Sequence, residues 1–463
     1  DRPCLRLWIS SLTDEAITEG MANLLPCDRF DNLFLAADSR NRADWLLGVN
    51  SSYAICKAVG FGNNSLGRVQ TPVLAEICRR YRERENHMLA DSWPVFISLC
   101  KNDRILKMRH VDDLVVRREA LALYEDCQAA KSVRITAVGK RTEEIGAPAL
   151  YNLAELQKDA NRYHSLTAIQ VQEIAQGLYE KKLISYPRTS SRLLPKDVYD
   201  TLPPVMEKML SRKEFRQYAD TVDLAAPRDS IEAQDTMEHH AIIITGTQPG
   251  KLDREEMLVY TLIVGRMLET FMPPCKVEYT TVDTVCAARK FRIRTYRILE
   301  KGWLGIFERE HLVAKGCMPY LVMPDLFQEE ILPVAGCSLI HEKSLPVSPY
   351  TDEELVDYMD KAGLGTVSTR TNILRTLLER KYICYSGKYV VPTPKGLFLY
   401  ETVRSMKVAD ASLTSGWETE LARIERGELS QEKFLDGVLE TVNEVTGEIF
   451  RNHPVKKRPQ GTT

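Results

Sequence analysis

The sequence predicts a multidomain α+β chain, and three observations predict it. Its 463 residues are too many for one ordinary core and correspond to about three domains. Apolar residues recur at helical spacing over residues 13 to 90, and from Trp93 the period changes to two. Two strand-rich stretches then flank a helical insertion at about 145 to 270, the pattern of an arm that goes out and comes back.

Along the chain, Leu5 to Ile9 reads as a strand already under way, so the sequence is expected to be a piece of a longer protein. Asp38 to Gly48 sets a charged face against Ala43, Trp45, Leu46 and Leu47, and Thr71-Pro-Val-Leu-Ala-Glu-Ile-Cys-Arg-Arg opens with a threonine cap and a first-turn proline. Val95-Phe-Ile-Ser-Leu-Cys, Ile105-Leu-Lys-Met-Arg and Val133-Arg-Ile-Thr-Ala-Val alternate as half-buried strands; so do Lys276-Val-Glu-Tyr-Thr-Thr-Val and Phe291-Arg-Ile-Arg-Thr-Tyr. Inside the insertion, Thr167-Ala-Ile-Gln is a capping-box pattern followed by Val171, Ile174, Ala175 and Leu178 on one face. Leu178-Tyr-Glu-Lys-Lys-Leu-Ile-Ser-Tyr is echoed by Leu377-Leu-Glu-Arg-Lys-Tyr-Ile-Cys-Tyr, each a helix running into a strand. The second copy continues through Ser386-Gly-Lys to Tyr389-Val-Val, a hairpin signal that gives a winged helix-turn-helix pattern.

Lys and Arg total 62 against 64 for Asp and Glu, so net charge neither suggests nor excludes a nucleic-acid partner. The 11 cysteines are scattered; the closest pair, Cys275 and Cys286, is too far apart for a Cys-x-x-Cys zinc knuckle, and reduced thiols are expected. No apolar run reaches membrane-spanning length and no basic-then-apolar leader is present, so a cytoplasmic protein without a membrane partner is expected.

The most informative stretch is Leu183-Ile-Ser-Tyr-Pro-Arg-Thr-Ser-Ser-Arg. A phenol has a pKa near ~10, so Tyr186 can attack a phosphate at neutral pH only with a cation on its oxyanion or a base for its proton. Pro187 favours extended backbone, in which residues two apart project to one side, so Tyr186 and Arg188 can meet on one phosphodiester. The plain alternative is packing: Tyr385 holds the equivalent place in the echo and is followed by Ser-Gly-Lys. Gly67-Arg68-Val69-Gln70 can turn backbone N–H groups and Arg68 toward an anion, or be a turn that binds nothing. Gly363 to Arg370 reads as a Ser/Thr-capped loop before a buried helix, with Thr366 and Arg370 able to face phosphate.

From Tyr151-Asn-Leu-Ala-Glu-Leu-Gln-Lys-Asp-Ala-Asn through Ala175-Gln-Gly-Leu-Tyr-Glu-Lys-Lys-Leu-Ile-Ser-Tyr-Pro-Arg-Thr, the chain closely resembles the active-site region of type IA DNA topoisomerases, particularly the topoisomerase III-like branch. Arg6-Leu-Trp-Ile-Ser-Ser-Leu-Thr, Gly67-Arg-Val-Gln-Thr-Pro, His239-His-Ala-Ile-Ile and Lys361-Ala-Gly-Leu-Gly-Thr-Val-Ser-Thr-Arg with Pro392-Thr-Pro-Lys-Gly-Leu carry the same resemblance in the family's order. It is weakest over about 275 to 345, where only Gly302-Trp303 is familiar.

The resemblance implies a toroidal core: residues 1–92 as the end of a Toprim strand plus a helical base and DNA groove, 93–144 and 273–342 as the two halves of a β-rich arch, 145–272 as a winged-helix-like domain bearing the tyrosine, and 343–463 as the rest of the base with a second winged-helix-like unit. It implies Tyr186 as a nucleophile forming a 5′-phosphotyrosine without ATP, Arg188 and His239 as its catalytic partners, and Arg68, Gln70, Thr189, Arg192, His240, Thr366 and Arg370 as DNA contacts. The implied partner is single-stranded or underwound DNA, met by a monomer. Magnesium is expected in a Toprim domain preceding residue 1, leaving this part inactive in relaxation by itself; Asp223, Asp229 and Asp235 do not reproduce the family's acidic pattern, so no metal is assigned to this chain. Ser190 stands where the family usually has Asp. Two alternatives remain: a conjugative tyrosine relaxase, which needs a His-hydrophobic-His metal motif where this chain has adjacent histidines, and a non-catalytic winged-helix DNA-binding protein with Tyr186 structural.

Overall fold

A computed structural model describes residues 4–9, 14–59, 63–213, 215–223, 231–232, 239–319 and 323–453. Asp229 and Asp235 lie outside them; Asp223 donates its backbone N–H to the carbonyl of Phe271 at 2.9 Å.

The chain opens with a strand shorter than expected, Leu5–Arg6, paired antiparallel with Leu25–Pro26. Helices α1 (Asp14–Ala22), α2 (Asp31–Val59) and α3 (Gln70–Glu85) follow. Helix α2 buries Ala36, Ser39, Ala43, Leu47, Ser51, Ala54 and Ile55, a stripe at three- and four-residue spacing. Trp45, expected on that apolar face, lies outside the stripe and is 66 % exposed. Helix α3 begins two residues earlier than a cap at Thr71 predicts: Thr71 is inside the first turn, and its hydroxyl accepts from the N–H of Gly67 at 2.9 Å.

Strands β1 (Val95–Lys101) and β2 (Arg104–His110), helix α4 (Arg117–Ala129) and strand β3 (Ser132–Ile145) lead outward. The insertion holds α5 (Leu153–His164), α6 (Ala168–Glu180) and α7 (Arg254–Thr270). The chain returns through β4 (Cys275–Cys286), β5 (Arg289–Glu300), β6 (Met318–Pro319) and β7 (Ile331–Leu339). These seven strands run in the order β6-β5-β2-β1-β7-β3-β4, and β4 also pairs with β5, so the sheet closes on itself. Closure removes sheet edges. Val95, Ile97, Leu99, Leu106, Met108, Ile135, Val282, Phe291 and Ile293 form its core with Ala120, Leu123 and Cys127 of α4. The β4–β5 hairpin turns on Ala287 and Ala288, at φ +49° and +59°.

The last stretch comprises β8 (Tyr350–Thr351), α8 (Asp352–Lys361), α9 (Val367–Glu379), β9 (Ile383–Ser386), β10 (Tyr389–Pro392), α10 (Pro394–Val403), α11 (Ala411–Glu425) and α12 (Gln431–Asn452). Helices α11 and α12 pack on α2, and α2 and α3 share one core with α8 to α12. The insertion has its own core, built from Leu156, Val171, Ala175, Leu178, Ile242, Ile263 and Leu268 among others.

The internal echo is structural. Thr167 caps α6 in a capping box with Gln170, and Thr366 caps α9 in a box with Thr369, 199 positions later. Each helix ends on a lysine with positive φ, Lys182 at +61° and Lys381 at +60°. The copies diverge beyond that point: the second runs into β9, whereas the first, expected to be a strand too, makes a single bridge from Ile184 to Ile244.

Candidate active site

Helix α6 is held by its buried face. Val171, Ala175 and Leu178 are fully buried, and a Leu or Val taken from water is worth about 1.5–3 kcal/mol. The chain leaving it is sewn to residues 241–245. Ser185 N–H donates to the carbonyl of Ile243 at 2.9 Å, the Ser185 hydroxyl donates to Ala241 and accepts from Ile243 N–H, both at 3.0 Å, and Thr245 N–H donates to Leu183 at 3.1 Å. On the far side, Ile242 N–H donates to Tyr151 at 2.8 Å. The His-His-Ala-Ile-Ile motif is thus a splint laid along the Tyr186 segment.

That splint places His239 on Tyr186, ring centroids 4.5 Å apart and inclined at 49°. Tyr179 of α6 meets Tyr186 edge-on at 5.4 Å, and the nearby phenol of Tyr186 contributes to raising the Tyr179 phenol, after burial. Thr189 is buried; its hydroxyl donates to the carbonyl of His239 at 3.0 Å and its own carbonyl accepts from Leu153. Trp8 stacks on His239 at 6.1 Å and on Phe30 at 5.3 Å, with the Arg6 guanidinium over both indole and phenyl at 4.8 and 4.7 Å. Trp8, Arg6, Phe30, Tyr179 and Ser185 were not singled out from the sequence, although the Arg6-Leu-Trp-Ile block had drawn attention to the segment.

Tyr186 and its echo partner differ in what they hold. The Tyr385 hydroxyl donates to the Asp352 carboxylate at 3.0 Å, and Asp352 also accepts from the N–H of Ala168 at 2.7 Å. Burial pushes the Tyr385 phenol well up and raises the Asp352 carboxyl. Among the described residues none hydrogen-bonds the Tyr186 hydroxyl. Arg188 is half-buried, pairs with no described carboxylate, and its buried Nε finds no acceptor among the described residues. A half-buried cation with no counter-ion among the described residues, two positions along the chain from the phenol, can receive an anion.

Several expected DNA contacts have other work. Arg68 is 4 % exposed and its guanidinium is taken by Asp44 at 2.7 Å and Glu418 at 2.8 Å, so it does not present to phosphate. Arg370 is buried beside Asp360 at 2.7 Å and reaches the Leu364 carbonyl. Arg192 donates to the carbonyls of Leu150 and Ala149, His240 is buried with Nδ1 2.7 Å from the Ala241 carbonyl, and the Thr366 hydroxyl is engaged with Ser368 and Thr369 at the cap. Gln70 remains at a surface: with Trp45, Tyr53 and Arg380 it lines an open cleft of about 500 Å³ along α2.

Behind the splint lies a buried charge cluster. Asp159 accepts from Tyr151 at 2.5 Å, Arg266 at 2.7 Å and Arg309 at 2.8 Å, and Glu269 sits 3.1 Å from Arg266. Burial pushes the Glu269 carboxyl up to about 7, against the opposing pull of the two arginines. The surroundings of Tyr186 are instead aromatic and cationic. Among the described residues no three His, Cys, Asp or Glu side chains are placed to share a metal ion.

A family model described as DNA topoisomerase matches residues 28–436. DNA topoisomerase 3 of Bacillus cereus is 29 % identical over 97 % of this chain and 65 % of its own length, and that of Bacillus licheniformis is 29 % identical with the same coverage. The chain therefore spans about two thirds, 65 %, of these curated relatives. Full-length topoisomerase I from Thermotoga maritima has the same fold, with a TM-score of 0.77 and 20 % identity over 95 % of this chain and 73 % of that one.

Proposed function

The chain belongs to the DNA topoisomerase family, and on that premise we propose that it is the strand-cutting core of a type IA enzyme, with Tyr186 as nucleophile. The observation that carries the reading is the Tyr186 hydroxyl, hydrogen-bonded to no described residue, packed on His239 and two residues from a cation with no counter-ion among the described residues. The phenolic oxygen attacks a backbone phosphorus, the bond from phosphorus to the 3′-oxygen breaks, and a 5′-phosphotyrosyl ester remains while the 3′-oxygen leaves as a hydroxyl. The ester conserves the broken bond, so reversal reseals the strand without ATP. Arg188 stabilises the charge on the phosphorane and the phenolate, and His239 holds the phenol and its ester in place. No step is routed through a metal, and the proton for the 3′-oxygen is assigned to no residue of this chain.

Single-stranded DNA is the proposed partner. Trp45 and Tyr53 stand exposed in the cleft beside Gln70, and exposed aromatics serve unpaired bases as stacking platforms. Strand passage requires the unit bearing Tyr186 to part from the base. Their joint buries Ala154 and Ala168 in the base core, with the Ala168 N–H on Asp352, and also carries ion pairs, Lys158 to Asp357 at 2.7 Å, Arg375 to Glu173 at 2.5 Å, Arg162 to Glu353 and Lys182 to Asp14. Such pairs exchange for water at little cost. Among the described residues no helix is long and apolar enough to cross a membrane, and a cytoplasmic monomer is the proposed state.

The test is covalent capture. The intact protein and its Tyr186→Phe variant are incubated with a labelled single strand and denatured. A DNA adduct in the first and none in the second is the expected result; an adduct in the variant overturns the assignment.

A further inference from the structure

Two cysteines face one another beside the aromatic stack on His239. The register Leu5↔Pro26 and Arg6↔Leu25 continues one step outward, where the N–H of Cys27 donates to the carbonyl of Cys4 at 3.1 Å. Pro26 has no N–H to give, so the hydrogen-bonded pairs are those on either side of it. Residues directly opposite in an antiparallel pair project from one face, and a hydrogen-bonded pair has its Cα atoms about 5.5 Å apart, a separation that a disulfide spans. The two thiols are in contact, and that contact is the first cause holding the Cys27 thiol above its ordinary range, against the pull of Arg6. Both are within reach of solvent, Cys4 exposed and Cys27 partly so. Cys127 and Cys286, which also meet, are sealed in the core of the closed sheet at 0 % and 2 % exposure.

The pair sits where the stack is least secured. Arg6 and Trp8 follow Cys4 at two-residue intervals, and Cys27 and Phe30 are the two ends of a single helical turn before α2. Arg6 lies over the rings of both Trp8 and Phe30, and Trp8 stacks on His239. The strand carrying Arg6 is only two residues long and both are exposed, a hold that is marginal in water. We propose that Cys4 and Cys27 are a reversible thiol–disulfide switch, and that its oxidised form clamps the segment bearing Arg6 and Trp8 to the turn bearing Phe30. The oxidant is a low-molecular-weight disulfide. Exposed Cys4, as thiolate, attacks one of its sulfurs; the S–S bond breaks and one small thiol leaves. Cys27, as thiolate, then attacks the Cys4 sulfur of the mixed disulfide and releases the second small thiol. Two protein thiols are oxidised, one small disulfide is reduced, and the two protons end on the released thiols. The new bond closes a loop of 23 positions containing α1, and such a crosslink removes freedom that the open chain keeps. Both thiols are free in this structure, the resting form of a pair that closes only on oxidation.

The experiment treats the whole chain with oxidised glutathione, alkylates the remaining thiols and maps the digest by mass spectrometry. Amide hydrogen exchange is followed with and without the oxidant. A peptide pair joining Cys4 to Cys27 and separated by dithiothreitol is expected, with exchange at residues 5–9 slowed about tenfold or more. Cys27 found alkylated or carrying glutathione, or Cys4 joined to any other cysteine, overturns the switch. A linked chain whose residues 5–9 exchange at the unlinked rate overturns the clamp. In Cys27→Ser, a small change at a partly exposed position, the oxidant should leave that exchange unaltered, and slowing that persists there also overturns the clamp. No measurement uses DNA, so this proposal and the Tyr186 reading fail separately.

Discussion

The imidazole of His239 lies against the phenol of Tyr186 with ring centroids 4.5 Å apart, and the backbone that carries one is hydrogen-bonded to the backbone that carries the other. His239→Ala should therefore slow adduct formation more than it weakens DNA binding. A loss of about 10- to 100-fold in cleavage rate, with single-strand affinity within a factor of two, is the expected result. Equal losses in both would make His239 a binding residue only.

Tyr186→Phe and Tyr385→Phe should separate chemistry from packing. The first removes the nucleophile and no internal hydrogen bond, so the melting temperature should hold while adduct formation disappears. The second strips a donor from buried Asp352 and should cost about 1–3 kcal/mol in denaturant unfolding, with cleavage by the folded protein retained.

Arg68→Ala should act on stability. Its loss leaves Asp44 without its partner and Glu418 with Arg40 alone, a cost of about 1–3 kcal/mol given that both carboxylates keep some water. The salt slope of single-strand binding should stay as in the wild type, and a flattened slope would restore Arg68 to the DNA.

Glu269 should make the protein less stable as pH rises from about 4.5 to 7. Its carboxyl is raised in the folded state, so in that window the folded chain binds more protons than the unfolded one and stability falls with pH. The effect is at most about 3 kcal/mol. Denaturant unfolding at pH 5 and pH 8 should show it, and Glu269→Gln should remove most of the difference.

The hairpin between β4 and β5 bends at two alanines with positive φ, a geometry that asparagine and glycine adopt with less strain. Ala287→Asn with Ala288→Gly should raise stability by about 1 kcal/mol, read as a higher denaturation midpoint at unchanged slope.

What was legible in the sequence was local. The box at Thr167, the two-residue period of the strands and the repeat that aligns Tyr186 with Tyr385 all depend on near neighbours, and the elements they mark are present except the strand after the first copy of the repeat. The pairing of Arg68 with Asp44 and Glu418, 24 and 350 positions away, could not be read from its own segment. A loop arginine before a helix looks the same whether it meets phosphate or a distant carboxylate. Trp45 was assigned inward because four residues sample too little of a helix to fix its buried stripe; the full length of α2 puts it outside. The partnership of Tyr186 with His239 came from the family resemblance; the splint that enforces it is made by backbone groups, which leave no mark on side-chain pattern.

Trp8 stacks on His239 from a segment outside the splint, while His239 and Tyr186 are tied into one body. Any movement that carries that body off the base takes the imidazole away from the indole and leaves the indole with Phe30. On the proposed strand-passage mechanism, Trp8 is a native optical probe of that step. With the other four tryptophans replaced by phenylalanine, emission from Trp8 would report the parting of the two units in real time, without an attached dye.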